Sequence, residues 1–210
     1  MERRTLLKAL LASPVATRSA LAAIFFAKPV LAAPPANMKD IEALQKNWKT
    51  FVAAGTAIPA ANEPLQLSKD EWRKRLPPEA YKVLRDEGTE RAGTSPLDHE
   101  KRPGIFVCAG CGLPVFTSEM KFDSGTGWPS FFKPYDESHI RRIRDSSHGM
   151  ERVEEVCARC GSHLGHVFPD GPPPTGERHC LNSVSLAFVE TGRALPDLLK
   201  RGSPEGCVCS

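Results

Sequence analysis

The chain has 210 residues and a formal net charge of +3, unevenly placed. In the first 36 residues Arg3, Arg4, Lys8, Arg18 and Lys28 face the single acid Glu2, so the remainder carries a net −1; a near-neutral body argues against binding nucleic acid or anionic membrane through a basic surface. Hydrophobic residues at 40% and charged residues at 25% exclude wholesale disorder, while 19 prolines and 16 glycines exclude a helix bundle and favour a loop-rich, largely β body of one domain.

Residues 1–36 read as a targeting segment. Arg3-Arg4 precede Leu6-Leu7-Lys8, an Ala/Leu-rich stretch follows, and small residues close it around Ala32-Ala33. This is similar to a twin-arginine export signal, cleaved after Ala32 or Ala36, and predicts a periplasmic or exported protein that meets a membrane only during export. Arg18 divides the apolar run, so neither half reaches the ~20 residues that span a bilayer. An organellar transit peptide and a membrane-surface helix are the competing readings.

Residues 37–66 form a helical and linker extension. Ile41, Leu44, Trp48, Phe51 and Val52 predict a helix within 38–52, and the Ala/Pro/Gly-rich stretch 53–64 a linker. Ser68 and Glu71 form a capping box that opens a short helix; Pro77-Pro78 stops it, and a second helix begins there and runs to Gly88. Short β-prone runs follow at 105–107, 115–116, 140–143, 153–156, 166–168 and 181–189. Helices first and closely spaced strands afterwards predict a mainly β, α+β fold with an antiparallel core over 67–190. Residues 191–210 predict a flexible tail carrying Cys207 and Cys209.

The seven cysteines are the most informative residues. Cys108-Ala-Gly-Cys111 and Cys157-Ala-Arg-Cys160 are two C-x-x-C pairs, each followed by glycine. Such a turn puts two sulfurs on one side of a tight loop, and two turns complete a tetrahedral four-thiolate site with no open position, suited to a structural Zn²⁺. Disulfides or a thioredoxin-like redox pair are the alternatives; export of an already folded chain would let zinc load in a reducing cytosol. Of the remaining thiols, Cys180 lies in Arg178-His179-Cys180-Leu181-Asn182-Ser183. Strand alternation would place Cys180, Asn182, Val184, Leu186 and Phe188 on one face, with Arg178 close enough to favour thiolate over thiol. A lone cysteine is more often inert packing, but two further segments supply company. Gly161-Ser162-His163-Leu164-Gly165-His166 offers two imidazoles for proton transfer, and Ser124-Gly125-Thr126-Gly127-Trp128 an indole on a Gly-rich turn.

Together these segments resemble the methionine-R-sulfoxide reductase family, the B type, over about 67–190. The motifs occur in order: the two C-x-x-C knuckles, Ser-Gly-x-Gly-Trp-Pro-Ser-Phe, Gly-Ser-His-Leu-Gly-His-Val-Phe-x-Asp-Gly-Pro, and Arg-x-Cys-x-Asn-Ser. The resemblance implies a β-tent of two antiparallel sheets and reduction of the R epimer of methionine sulfoxide, free or in proteins. It implies that Cys180 is the nucleophile and that His163 and His166 hydrogen-bond or protonate the leaving oxygen. Asn182 and Arg178 would orient the site and bias Cys180 toward thiolate, and Trp128 would receive the substrate methyl. The first product would be methionine with a sulfenic acid on Cys180, which a thioredoxin-like donor would ultimately return to the thiol.

The chain departs from the family twice. Many members carry the resolving cysteine where Thr126 stands, which makes Cys207 or Cys209 the candidate resolving thiol, with direct reduction by an external thiol as the alternative. His179 stands where the family more often has an aromatic residue, and alternation turns it away from Cys180. A non-catalytic zinc-bound β-tent module is the competing function. A nucleic-acid zinc ribbon is disfavoured by the near-neutral body.

Overall fold

Asn37 opens the first helix because its Oδ1 accepts hydrogen bonds from the Lys39 and Asp40 amides at 2.9 and 3.2 Å. In the computed structural model, which describes residues 35–94 and 96–200, this helix is α1 (Met38–Asn47), continued by a 3₁₀ turn at Trp48–Phe51. All but the end of the export-like segment, and the thiols of Cys207 and Cys209, lie outside the described residues. The extension packs onto the body instead of spacing it. Ile41 is fully buried, Trp48 lies 4.5 Å from the Tyr135 ring, and Gln45 Nε2 donates to the Pro134 carbonyl at 2.8 Å. The linker stretch is tied down at both ends, by a Val52–Arg193 bridge and by the Leu65 amide on the Arg159 carbonyl. Among the described residues no helix is long and apolar enough to cross a membrane.

The capping box forms as expected. The Ser68 amide donates to Glu71 Oε2 at 2.8 Å, and the Glu71 amide donates to Ser68 Oγ at 3.3 Å, opening α2 (Lys69–Arg75). Pro78 then starts α3 (Pro78–Asp86). This helix stops two residues short of the expected Gly88, because Glu87 already adopts the left-handed conformation at φ 53° and the Gly88 amide returns to the Lys82 carbonyl.

The rest is β. A three-stranded antiparallel sheet takes the order β2 (Pro114–Thr117), β1 (Gly104–Cys108), β9 (Leu186–Glu190). A six-stranded antiparallel sheet runs β3 (Lys121–Phe122), β4 (Ser130–Phe131), β8 (Arg178–Leu181), β7 (His163–Phe168), β6 (Arg152–Cys157), β5 (Ile140–Asp145). The two-residue strands β3 and β4 have no periodicity to betray them; they exist through their partners. The sheets meet at aromatic side chains: Phe116 stacks on Phe131 at 4.4 Å, and Phe106 meets Phe131 edge-on at 5.0 Å. On β1, Phe106 and Cys108 enter this main core, while Ile105 and Val107 point to a smaller cluster with Phe51 and Leu198. Burial of β1 on both faces explains its unbroken apolar run.

The strand expectation fails at one place. The run 181–189 is not one strand. A 3₁₀ turn at Ser183–Ser185 divides it, sending β8 to one sheet and β9 to the other. Cys180 and Asn182 therefore do not share a face with Val184, Leu186 and Phe188, since alternation ends where the ladder ends.

Candidate active site

Cys180 occupies the third position of β8, in register with His166 on β7 and Ser130 on β4. Residues directly opposite in an antiparallel ladder project to the same face, so His166 and Cys180 do so together. His163 is three residues from His166, and a regular strand would turn it to the other face. The register prevents this. Opposite β7, Glu154 pairs with His166 and Glu155 with Gly165, but Val156 pairs with His163, leaving Leu164 as an extra, bulged residue. The bulge rotates His163 back onto the face of His166, and the two rings lie 5.3 Å apart.

The bulge is held by the end of β8. The Leu164 carbonyl accepts from the Asn182 amide at 2.9 Å, from Asn182 Nδ2 at 3.3 Å and from Ser185 Oγ at 3.0 Å. Asn182 Oδ1 accepts from the Glu90 amide at 3.0 Å. The carboxamide is thus occupied by backbone, and its geometry is that of a clamp on the histidine strand. Gly165, next along, allows β7 to approach β8: a Cβ there would lie 2.1 Å from the Cys180 carbonyl oxygen.

Each imidazole is backed by a carboxylate. His163 Nδ1 lies 2.7 Å from Glu154 Oε1, and its buried Nε2 has no hydrogen-bond partner. His166 Nε2 lies 2.8 Å from Asp145 Oδ2, which also takes Arg152 at 2.6 Å. Burial draws the His166 pKa below the ordinary imidazole value against the opposing pull of Asp145, so His166 is neutral at pH 7. A cavity of 440 Å³ is lined by both histidines, by their carboxylate partners and by Asp86 and Glu87 at the end of α3.

Arg178 shares the Cys180 face. Its guanidinium forms a two-point bridge to Asp170, with Nε–Oδ1 at 2.8 Å and Nη2–Oδ2 at 2.9 Å, and lies 4.6 Å over the Phe168 ring. The effect on Cys180 differs from the expected thiolate bias. Burial pushes the thiol pKa up; Arg178 and the Thr126 hydroxyl pull it down, and burial prevails. Arg178 acts in the expected direction, but the resting group is a thiol. The Thr126 hydroxyl that reaches Cys180 also lies 2.8 Å from Ser124 Oγ, itself 2.7 Å from Ser130 Oγ. Trp128 stands on the same turn, with its indole Nε1 donating to the Glu90 carbonyl at 3.2 Å.

His179 points away from Cys180, as alternation requires. It is fully buried, with Nδ1 2.8 Å from Glu155 Oε1 and Nε2 3.5 Å from Glu177 Oε2. Burial lowers its pKa, but the two carboxylates outweigh it and the net shift is upward.

The four knuckle cysteines come together elsewhere. Their sulfurs all lie within 4.8 Å of one another, with Cys108–Cys160 at 3.7 Å and Cys111–Cys157 at 3.6 Å. A tetrahedral Zn²⁺ with bonds of about 2.3 Å requires sulfurs about 3.8 Å apart, so the set fits that ion. The buried cluster could hold a metal ion. The carboxylates of Glu154, Asp145 and Asp170 are the members that sequence reading missed. Asp170 lay inside a recognised motif, whereas Glu154 and Asp145 sit in exposed-looking charged strands with nothing local to single them out.

The SelR domain family model matches residues 76–190. Curated relatives share long aligned stretches. A peptide methionine sulfoxide reductase MsrB of Xylella fastidiosa is 58% identical over 124 residues, 59% of this chain and 80% of that protein. The protein of the same name from Pseudomonas putida is 55% identical over 122 residues, covering 58% and 93% of the two chains. That of Caulobacter vibrioides is 52% identical over 139 residues, covering 66% and 87%.

Proposed function

The chain belongs to the SelR-domain family of peptide methionine sulfoxide reductases, and on that premise we propose that it reduces the R epimer of methionine sulfoxide, protein-bound or free, through a sulfenic acid on Cys180. The observation that carries this reading is the Leu164 bulge, which brings His163 and His166 to the face of Cys180. In the first step the Cys180 sulfur, having lost its proton, attacks the sulfoxide sulfur. The attack forms a Cys180–substrate S–S bond; as the oxygen takes a proton and passes to Cys180, that bond and the substrate S–O bond both break, two electrons from Cys180 stay on the substrate sulfur, and S–OH is left on Cys180 beside the methionine side chain. The leaving oxygen needs a proton as negative charge gathers on it. His163, with Nδ1 fixed by Glu154, presents Nε2 for that purpose, and His166 is held beside it by Asp145. Trp128 receives the terminal methyl without competing for the oxygen, and Arg178 opposes the effect of burial on Cys180.

The sulfenic acid then condenses with a second thiol, forming a disulfide and releasing water. Thr126, which draws the Cys180 pKa down, has no sulfur, so Cys207 or Cys209 fills that role, and a thioredoxin-like dithiol reduces the resulting disulfide. Cys108, Cys111, Cys157 and Cys160 bind a structural Zn²⁺ whose contribution is to folding, with no open coordination position for chemistry. The Arg3-Arg4 segment directs the protein out of the cytoplasm, which fractionation of cells expressing the full chain tests directly.

A single-turnover thiol balance tests the core of the proposal. Reduced, zinc-loaded protein is mixed with methionine-R-sulfoxide or its S epimer without reductant; methionine formed and thiols lost are counted per chain. One methionine and two thiols lost with the R epimer alone is the expected result. One methionine with a trappable sulfenic acid on Cys180 would assign resolution to an outside thiol. No methionine from the R epimer by folded protein would overturn the reading.

A further inference from the structure

Glu90 lies in the loop after α3, in no recognised motif, yet all of its hydrogen-bonding groups are directed at the site. Its carboxylate accepts from the Ser183 amide at 2.6 Å and the Val184 amide at 3.1 Å. These are the opening amides of the 3₁₀ turn that ends β8, for which the preceding Asn182 side chain supplies no cap. The Glu90 amide donates to Asn182 Oδ1 at 3.0 Å, and its carbonyl accepts from the Trp128 indole at 3.2 Å. The loop is pinned again three residues later, where the Gly93 amide donates to the Gly127 carbonyl at 2.7 Å. Gly127 permits that approach, since a Cβ there would lie 2.8 Å from the Gly93 nitrogen.

We propose that Glu90 is a positioning residue for the reductase, setting the Trp128 indole at a fixed place relative to Asn182 and hence to the strand end that carries Cys180. The proposal rests on the assignment of Trp128 to the substrate methyl. Trp128's neighbour Pro129 joins β8 by accepting from the Leu181 amide at 3.0 Å, whereas Glu90 holds both the indole itself and the residues 182–184 that follow β8. The chemistry explains why the side chain is a glutamate. An ionised carboxylate accepts from two amides through separate oxygens. Aspartate is one methylene shorter, and glutamine turns an N–H toward one of the donors.

The test uses Glu90→Ala and Glu90→Gln in the zinc-loaded full chain. The indole N–H resonances of Trp48, Trp72 and Trp128 are compared, with steady-state KM and kcat measured beside them. In Glu90→Ala the Trp128 resonance should shift and exchange faster with water while those of Trp48 and Trp72 stay in place. KM for methionine sulfoxide should rise about tenfold, the scale of one lost charge-assisted hydrogen bond, with a smaller change in kcat. Glu90→Gln, which retains one acceptor oxygen, should fall between, and it carries the comparison alone if the alanine variant does not fold. An unmoved Trp128 resonance, or three resonances moving together, would overturn the proposal. Trp128→Phe separates the two layers. If it raises KM while Glu90→Ala does not, the positioning role falls alone; if it leaves KM unchanged, the substrate assignment falls and takes the proposal with it.

Discussion

The protein uses the same functional group in two places, and the surroundings make them opposites. Cys108, Cys111, Cys157 and Cys160 sit on two tight turns, are buried, and face one another at 3.6–3.7 Å across the pairs. Cys180 sits on a strand, half-buried, with an imidazole opposite and a guanidinium two residues away on the same face. The first arrangement is closed and can only hold something. The second leaves a half-buried sulfur on the same face as imidazole and guanidinium groups. A thiol's role therefore follows from what converges on it and from how that convergence is built. The knuckles are made by neighbours in sequence, the setting of Cys180 by the register of strands far apart in the chain.

The strongest way to break this contrast is to exchange one sulfur for oxygen in each place. Removing a ligand from a closed zinc site forfeits binding energy that is also folding energy, on the order of 10 kcal/mol. Cys157→Ser should therefore lose metal and fail to fold, while Cys180→Ser should stay within about 0.5 kcal/mol of the parent and form no methionine. Metal content, thermal unfolding and single-turnover yield decide the matter. A Cys180→Ser protein that lost its metal would erase the distinction.

The register behind Cys180 offers the next test. His179 and Glu155, on the reverse face of the site sheet, form a fully buried pair at 2.8 Å that ties β8 to β6 across β7. Arg142 Nε also lies 3.7 Å from that Glu155 oxygen, so His179→Phe alone should destabilise the fold by less than the about 3–5 kcal/mol of a fully stranded buried charge, while His179→Phe with Glu155→Val should be closer to neutral. The pH dependence has a definite sign. The His179 pKa is raised in the folded state, so its contribution is complete below the unfolded value of about 6.5 and is lost as pH rises through the folded one. Stability should fall from neutral toward alkaline pH in the parent, and that slope should be absent from the double variant. Denaturant midpoints measured across that range provide the check.

Smaller effects sharpen the description of the site itself. Burial keeps Cys180 a thiol, against the pull of Arg178, so kcat/KM should climb with pH through the ordinary thiol range and beyond it. Arg178→Ala should move the inflection higher still, because a cation favouring thiolate is gone; an inflection that moved lower would reverse the assignment. Least disruptive is Thr126→Cys. The Thr126 hydroxyl already draws the Cys180 pKa down, so a thiol there should trap a sulfenic acid on Cys180 locally. Two thiols should then disappear per turnover even in a chain with Cys207 and Cys209 changed to serine, as thiol titration would record.

Much of the candidate site was legible in the sequence, because its residues sit in short motifs. Cys180, His163, His166, Arg178, Asn182 and Trp128 were all nameable, and the fold class followed from helices preceding short, punctuated strands. What escaped were partners whose meaning depends on another strand. Glu154 and Asp145 look like solvated charges on β6 and β5 until β7 places an imidazole against each. The break of β8 from β9 escaped as well, since Leu181–Val189 has an unbroken β-like pattern and only the 3₁₀ turn at Ser183–Ser185 redirects it.

The sequence by itself determined what a few neighbouring residues can enforce. The capping box at Ser68, the proline start of α3 and the two cysteine turns are all closed by hydrogen bonds or bonding geometry within four residues. Tertiary structure alone decided which face each histidine takes. Spacing of three in a regular strand would separate His163 from His166, and only an extra residue at Leu164 reunites them. That bulge persists because Asn182 and Ser185, about twenty residues further along, direct three donors at one carbonyl. A backbone oxygen with that many partners is a property of the assembled sheet, and no window of sequence around Leu164 contains it.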